Sequence, residues 1–233
     1  MTRRFASREQ AGLALADRLL QLDLPGPVVV LALPRGGVPI AALVARALHA
    51  PLDLLLVRKI GAPGQPELAV AALVDGDPPD LVDDLEIQAA LGVDPAHVRS
   101  EAAREWREIE RRRRLYLGGR APVPVAGATV VVVDDGIATG TTVRAALKAL
   151  RRRQPARLVL AIPVAPQDTL EGLRAEVDEI VCLSMPSPFH AVGLHYDDFH
   201  QVDDDEVLAA LAAASTAPAA VAVPAPAARA WPA

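Results

Sequence analysis

The chain has 233 residues, enough for about one to two domains, and 52% of them are hydrophobic while only 3% are aromatic, so the core should be aliphatic and rich in alanine. A formal charge of −5 argues against a nucleic-acid partner held by phosphate neutralisation and fits a soluble, cytoplasmic protein. A single cysteine, Cys182, excludes an internal disulfide and a multi-cysteine zinc site.

The start of the chain, MTRRFASREQ, is polar and charged with no apolar segment behind it, and no apolar run reaches about 18 residues; neither a secretory leader nor a membrane-spanning helix is expected. The first helix should open at Ser7, a capping residue, with Gln10 three residues on as its capping-box partner. Leu13, Leu15, Leu19, Leu20 and Leu22 supply its apolar face, and Pro25-Gly26-Pro27 ends it. Val28 to Leu33 is a continuous apolar run suited to a buried parallel strand. A Gly-rich turn and a helix from Val38 to Leu48 follow, then apolar strands at Leu52 to Val57 and Leu68 to Val74. Between those strands, KIGAPGQPE reads as a projecting loop, and with Glu67 it is one candidate lid.

Asp75 to Gly119 reads as a helical insertion and the foremost lid candidate, because a site that must exclude water needs a cover. Asp94-Pro95 is a strong helix start, and the helix should run to Leu117. Glu108 with Arg112 and Glu110 with Arg114 are stabilising pairs four residues apart. The run Arg111 to Arg114 reads as a solvated helical face that complements the helix dipole, with contact to an anion or a second subunit as the other reading. Thr129 to Asp134 is the clearest strand. Helices are expected at Thr141 to Arg153, Pro166 to Ala175 and Asp203 to Ala214, and strands at Leu158 to Pro163 and Glu179 to Leu183. Cys182, in the apolar run DEIVCLSM, reads as a small buried hydrophobe. Residues 215–233 are Ala, Val and Pro with almost no charge and should be disordered.

Strands that alternate with helices imply an α/β fold, a parallel sheet flanked by helices, with ligands bound beyond the carboxyl ends of the strands. The expected organisation is one domain over residues 1–214, with the insertion at 75–119, a hood over the site at 184–202, and the tail at 215–233.

The chemistry concentrates in VVVVDDGIATGTT, Val130 to Thr142. Four valines make a buried strand, and Asp134 and Asp135 stand at its carboxyl end. The short loop Gly136, Ile137, Ala138, Thr139, Gly140 then feeds a helix that begins at Thr141 and Thr142. A helix N-terminus presents unpaired N–H groups and partial positive charge. The threonines add hydroxyls, and Gly140 permits close approach of a ligand. The two carboxylates suit hydroxyl donors or a divalent cation. A ligand with a phosphate at one end and a cis-diol near it, a ribose 5-phosphate, satisfies both halves. A Walker A loop is a poor alternative, because the Lys-Ser/Thr pair is absent.

Over all thirteen of these positions the stretch closely resembles the signature of type I phosphoribosyltransferases. The resemblance implies a type I phosphoribosyltransferase-like core, with Asp134 and Asp135 on the ribose hydroxyls and Ala138 to Thr142 around the 5-phosphate. In the same register, Leu33-Pro34-Arg35-Gly36-Gly37 resembles the family's diphosphate-binding loop: Arg35 offers a cationic fork, and Gly36 and Gly37 free the backbone to present N–H groups. Arg58 and Lys59, in VRKIGAPG, resemble the adenine-type branch, although Ala62-Pro63-Gly64 replaces the lysine-containing sequence expected there. Ala138 stands where some 6-oxopurine enzymes carry an Asp, so the acceptor base, purine or pyrimidine, stays open.

The reaction implied is transfer of a phosphoribosyl group from phosphoribosyl diphosphate to a nitrogenous base, with release of diphosphate. Mg²⁺ is the implied cofactor, held by Asp134 and Asp135 or only through the substrate. Asp134, Asp135, Arg35 and Lys59 are the catalytic candidates. The centre is oxocarbenium-like, so catalysis rests on positioning and charge neutralisation. The base should meet the segment Ser184 to Phe199, where Phe189, Tyr196 and Phe199 can stack on it; a satellite core beneath a loop is the other reading. His190, His195 and His200 lack zinc-ligand spacing. The expected partners are the donor and a base, with no nucleic acid or membrane, in a homo-oligomer such as a dimer. A non-catalytic regulator that binds phosphoribosyl diphosphate or a nucleotide would keep the same loop. The only basic runs, Arg111 to Arg114 and Arg151 to Arg153, both end helices, which favours the enzyme. A hydrolase built on Cys182 or a serine lacks a nucleophile-elbow pattern.

Overall fold

A computed structural model describes residues 4–76 and 78–214, and at Glu67 the backbone alone. The proposed disordered tail at 215–233, the extreme N-terminus, Asp77, and the Glu67 side chain lie outside the described residues. In chain order the elements are α1 (Arg8–Leu19), β1 (Val28–Ala32), α2 (Gly37–Ala47), β2 (Leu52–Leu54), β3 (Val57–Ala62), β4 (Gln65–Val74), β5 (Asp80–Asp83), α3 (Leu85–Leu91), α4 (Pro95–Leu117), β6 (Thr129–Val133), α5 (Thr141–Arg152), β7 (Arg157–Val164), α6 (Gln167–Leu173), β8 (Glu179–Ser184) and α7 (Asp204–Ala214). They fall into two compact units. The first comprises the chain up to Leu54, Val123–Gly140 and the residues from Leu150 onward; the second comprises Leu55–Pro122 and Thr141–Ala149.

The first unit is built on a five-stranded sheet in the order β2-β1-β6-β7-β8, parallel throughout. The β6 sequence TVVVV is buried at every position, which a β-branched run tolerates only when both faces of a sheet are covered. From β1 the chain passes to β2 on one side; from β6 it passes to β7 and β8 on the other. The order therefore reverses between β1 and β6, and such a switch point opens a crevice at the carboxyl ends of its two strands.

Helix α1 lies against β7 and β8 and beside α2, which covers β1, β2 and β6. Gly12 makes the α1–α2 approach possible: a Cβ there would stand 2.6 Å from Leu43 Cδ1 and 3.2 Å from the Ile40 backbone. The Ser7 cap forms as expected, its hydroxyl accepting the Gln10 N–H. The buried face differs from the expected leucine stripe. It consists of Ala11, Gly12, Leu15, Ala16 and Leu19, with Leu13 and Leu20 outward, because small residues let the helix sit close to its neighbour. The chain start is fixed by a short parallel bridge, Phe5 to Tyr196, with Phe5 N–H donating to His195 O and Asp197 N–H to Phe5 O.

The second unit carries an antiparallel sheet, β3-β4-β5, against which α4 packs. Two expectations change here. KIGAPGQPE is the tip of the β3–β4 hairpin and not a loop, and the strand through Leu68 to Val74 runs antiparallel in this separate sheet. Gly64, at φ 73°, supplies the left-handed turn residue, and Gly61 sits at a register shift where Pro66 leaves no room for a Cβ. The unit also begins at Leu55, ahead of Asp75, and mixes strands with helices. Helix α4 starts as predicted, the Asp94 carboxylate accepting the Ala96 N–H at 2.8 Å before Pro95. It buries Val98, Ala102, Trp106, Ile109, Arg113 and Tyr116, one face at helical spacing. Arg113 in that stripe pairs with Asp75 and donates to Arg120 O, so the run Arg111 to Arg114 is not uniformly solvated.

Candidate functional site

The switch point brings together two motifs about a hundred residues apart in sequence. Leu33 N–H donates to Val133 O at 2.9 Å, so the turn after β1 starts in register with the loop after β6. Within that turn the Pro34–Arg35 peptide is cis. An ideal Cβ on Gly36 would fall 2.0 Å from Asp135 Oδ2, and one on Gly37 would fall 2.7 Å from Val133 O and 2.9 Å from Asp134 Cα. Both glycines are thus required by contact with the acidic pair, a reason different from the expected presentation of N–H groups. The Gly37 N–H is already taken by Leu33 O. The Arg35 guanidinium is half-exposed, 3.7 Å from the Asp204 carboxylate at the start of α7.

Asp134 and Asp135 follow directly on β6 and keep some exposure. Burial raises the Asp134 carboxyl well above the ordinary aspartate range, the neighbouring Asp135 charge adds to this, and Arg8 opposes it. Burial raises Asp135 too, against the charge and hydrogen bonds of Arg8. Two adjacent buried carboxylates favour a cation, a hydroxyl donor or a proton. The loop beyond is held from behind: Ile137 N–H donates to Val164 O at 3.0 Å, and the Thr169 hydroxyl donates to Ala138 O at 2.8 Å. Gly136 faces Val192 and Val164 without room for a side chain. Gly140, at φ 73°, turns the chain into α5, whose first N–H groups receive no side-chain cap. Ala138, Thr139, Thr141 and Thr142 are exposed.

Arg58 and Lys59 belong to the second unit, where they line a cavity of about 600 Å³ with Gly61, His97, Glu101, Arg104, Glu105 and Thr142. Arg58 Nε lies 2.6 Å from Glu105 Oε2, and Arg104 bridges Glu101 and Glu105. Glu105 on α4 therefore offsets the Arg58 charge beside Lys59. The His97 ring contacts Gly61 O at 3.2 Å.

The three aromatic base candidates part company. Tyr196 is 1% exposed, its ring tilted against Phe5 and stacked on Phe199, and its hydroxyl donates to Asp135 O at 2.6 Å. Burial first and the Asp135 charge second raise the Tyr196 hydroxyl, so it stays a neutral donor. Phe199 lies under the Arg8 guanidinium at 4.0 Å and against Gly193. These two rings form a small satellite core behind the acidic loop, with no open face on Tyr196. Phe189 stands apart, stacked on His195.

Sequence reasoning missed Arg8, Glu105 and Asp204. Arg8 left a signal: a cation at the first position of a helix opposes the helix dipole and calls for a partner elsewhere. Its partner is Asp135, at 2.8 Å.

Within the first unit, two carboxylates and a cationic fork thus lie on adjoining segments. The family described as phosphoribosyl transferase domain matches residues 8–198, and the chain belongs to that family. Two Mycobacterium tuberculosis proteins, provisionally named phosphoribosyl transferase Rv0571c and phosphoribosyl transferase MT0597, are each 44% identical over 207 residues; the match covers 89% of this chain and 46% of theirs. The chain thus spans about half the length of these curated relatives. The crystal structure of TT1426 from Thermus thermophilus is 43% identical with a TM-score of 0.78, and covers 89% of this chain and 97% of that one. No helix among the described residues is long and apolar enough to cross a membrane.

Proposed function

We propose that the protein transfers the phosphoribosyl group of phosphoribosyl diphosphate to a nitrogenous base and releases diphosphate. The observation that carries this reading is the seating of the Arg35-Gly36-Gly37 turn directly on the Asp134–Asp135 carboxylates. A diphosphate-type cation and a pair of hydroxyl acceptors thereby lie on adjoining segments, as a ligand with both groups on one sugar requires. Asp134 and Asp135 receive the ribose hydroxyls, Ala138 to Thr142 the 5-phosphate, and Arg35 the leaving diphosphate. Arg58 and Lys59 are further cations assigned to the donor's phosphates.

Magnesium suits this arrangement in one way. Among the described residues no group of three or more His, Cys, Asp or Glu side chains gathers as a metal cage, and the raised carboxyls of Asp134 and Asp135 favour added positive charge. Mg²⁺ takes few protein ligands and keeps phosphate and water oxygens, so these two residues would hold it alongside the donor. When bound it neutralises charge on the diphosphate. The chain itself positions the sugar and stabilises the departing charge through Arg35. The base meets the segment from Ser184 to Phe199, with Phe189 as its stacking candidate. The reaction is assigned to the cytoplasm and to a homo-oligomer, with no nucleic-acid or membrane partner.

The test is incubation with labelled phosphoribosyl diphosphate, magnesium and a panel of purine and pyrimidine bases, measuring diphosphate release. Release that depends on one base supports the transferase. Tight donor binding with no release for any base would overturn it in favour of a regulator.

A further inference from the structure

Arg8 opens α1, yet its side chain is almost fully enclosed. The helix dipole opposes a cation there, and a buried ion pair is a weak source of stability because both charges lose hydration. Its contacts account for it differently. Nε donates to Asp135 Oδ2 at 2.8 Å, and Nη2 lies 2.8 Å from the same oxygen. Nη1 donates to His200 O at 2.8 Å, and the Phe199 ring covers Cζ at 4.0 Å. The guanidinium is held by a carboxylate, a carbonyl and an aromatic face at once, with little freedom to turn.

A guanidinium fork can grip both oxygens of a carboxylate. Here both contacts fall on Oδ2, and Arg8 leaves Oδ1 of Asp135 alone. Asp134 is arranged alike: its Oδ1 accepts the Asp135 N–H at 2.8 Å, and no hydrogen bond to its Oδ2 occurs among the described residues. The pair thus offers one oxygen from each carboxylate, the number that two vicinal hydroxyls require. Tyr196 fixes the same residue from its backbone side, through Asp135 O.

We infer that Arg8 is the positioning residue of the acidic pair: it holds Asp135 with Oδ1 free for a sugar hydroxyl, and it offsets one of two adjacent negative charges so that both carboxylates can face a diol. This rests on the reading of Asp134 and Asp135 as the ribose-binding pair. Because Arg8 also grips His200 O and Phe199, the seating of the segment before α7 is tied to the same carboxylate.

The test is titration calorimetry of the full chain with phosphoribosyl diphosphate and, separately, with inorganic diphosphate, which lacks the diol. Arg8→Met should weaken phosphoribosyl diphosphate by ~10–100-fold, the usual range for loss of a group that orients a ligand-binding side chain, while diphosphate binding changes little. Arg8→Lys, a charge without a fork, should fall between. The charge-balanced double variant Arg8→Met with Asp135→Asn should bind no more weakly than Asp135→Asn alone, the non-additivity of residues acting as one unit. Arg8→Met that binds phosphoribosyl diphosphate like the wild type, or that loses both ligands equally, would overturn the inference. If Arg8→Met fails to fold, the double variant decides: binding weaker than that of Asp135→Asn alone sinks the idea. A wild type that binds diphosphate but gains nothing from the ribose would instead overturn the reading of the acidic pair, and the inference with it.

Discussion

Two arginines, Arg113 and Arg8, are each buried against an aspartate, one in each unit, and their surroundings differ. Arg113 projects from the apolar stripe of α4, pairs with Asp75, and sends a second N–H to Arg120 O. Both side chains are closed off there, at 7% and 3% exposure. Arg8 meets Asp135, but Asp134 stands beside it, so one cation faces two anions. The residual negative charge is set at a sheet switch point with carboxylate oxygens to spare. A buried pair closed on all sides specifies architecture; a cluster with two carboxylates to one guanidinium, and open on one side, is prepared for a ligand.

The sharpest way to break this contrast is to remove the surplus charge. The double variant Asp134→Asn with Asp135→Asn should lose phosphoribosyl diphosphate binding by roughly 10²–10⁴-fold, taking ~1.5–3 kcal/mol for each charged hydrogen bond. Circular dichroism and the unfolding midpoint should report an intact fold. Unchanged affinity in a folded double variant would sink the site assignment. The matching change in the other unit is Arg113→Ala. It takes the Arg113 cation away from the buried Asp75 carboxylate, and breaking such a buried pair should cost about 3–5 kcal/mol of stability, read as a fall in the denaturant midpoint. A loss below about 1 kcal/mol would show that the Arg113 pair behaves like an exposed one.

The first unit was the more legible in sequence, and the reason is locality. The β6 valines, the acidic pair and the loop to Gly140 are contiguous, so their burial pattern and polar groups read directly. The second unit misled because a continuous apolar run such as Leu68 to Val74 does not say which sheet it joins or in which direction; only the Pro63-Gly64 turn marks the hairpin. What stayed hidden at the site is long-range pairing. Arg8 and Asp135 are 127 residues apart, and Arg58 and Glu105 are 47. Tyr196 was legible as an aromatic in an aromatic-poor chain, but its inward orientation depends on Phe5 at the opposite end of the sequence.

The smallest expected effect tests whether the surplus charge strains the free protein. Asp134 is raised above its ordinary value of 3.8, chiefly by burial. A carboxyl with a raised folded pKa keeps its proton in the native state where the unfolded chain has lost it. The native state therefore binds more protons across that window, and stability falls as pH rises from the ordinary aspartate value through the folded one. Asp134→Asn removes this slope while its Oδ1 can still accept the Asp135 N–H. At neutral pH the ligand-free single variant should melt higher than the wild type. Towards about pH 4 the two melting curves should converge, because the wild-type carboxyl is then protonated as well. The measurement is the unfolding midpoint of both proteins across that range without ligand. A variant that melts lower than the wild type at neutral pH would mean that the Asp134 charge stabilises the free protein, and the distinction between a closed pair and a cluster held open for a ligand would then fail at the residue on which it chiefly depends.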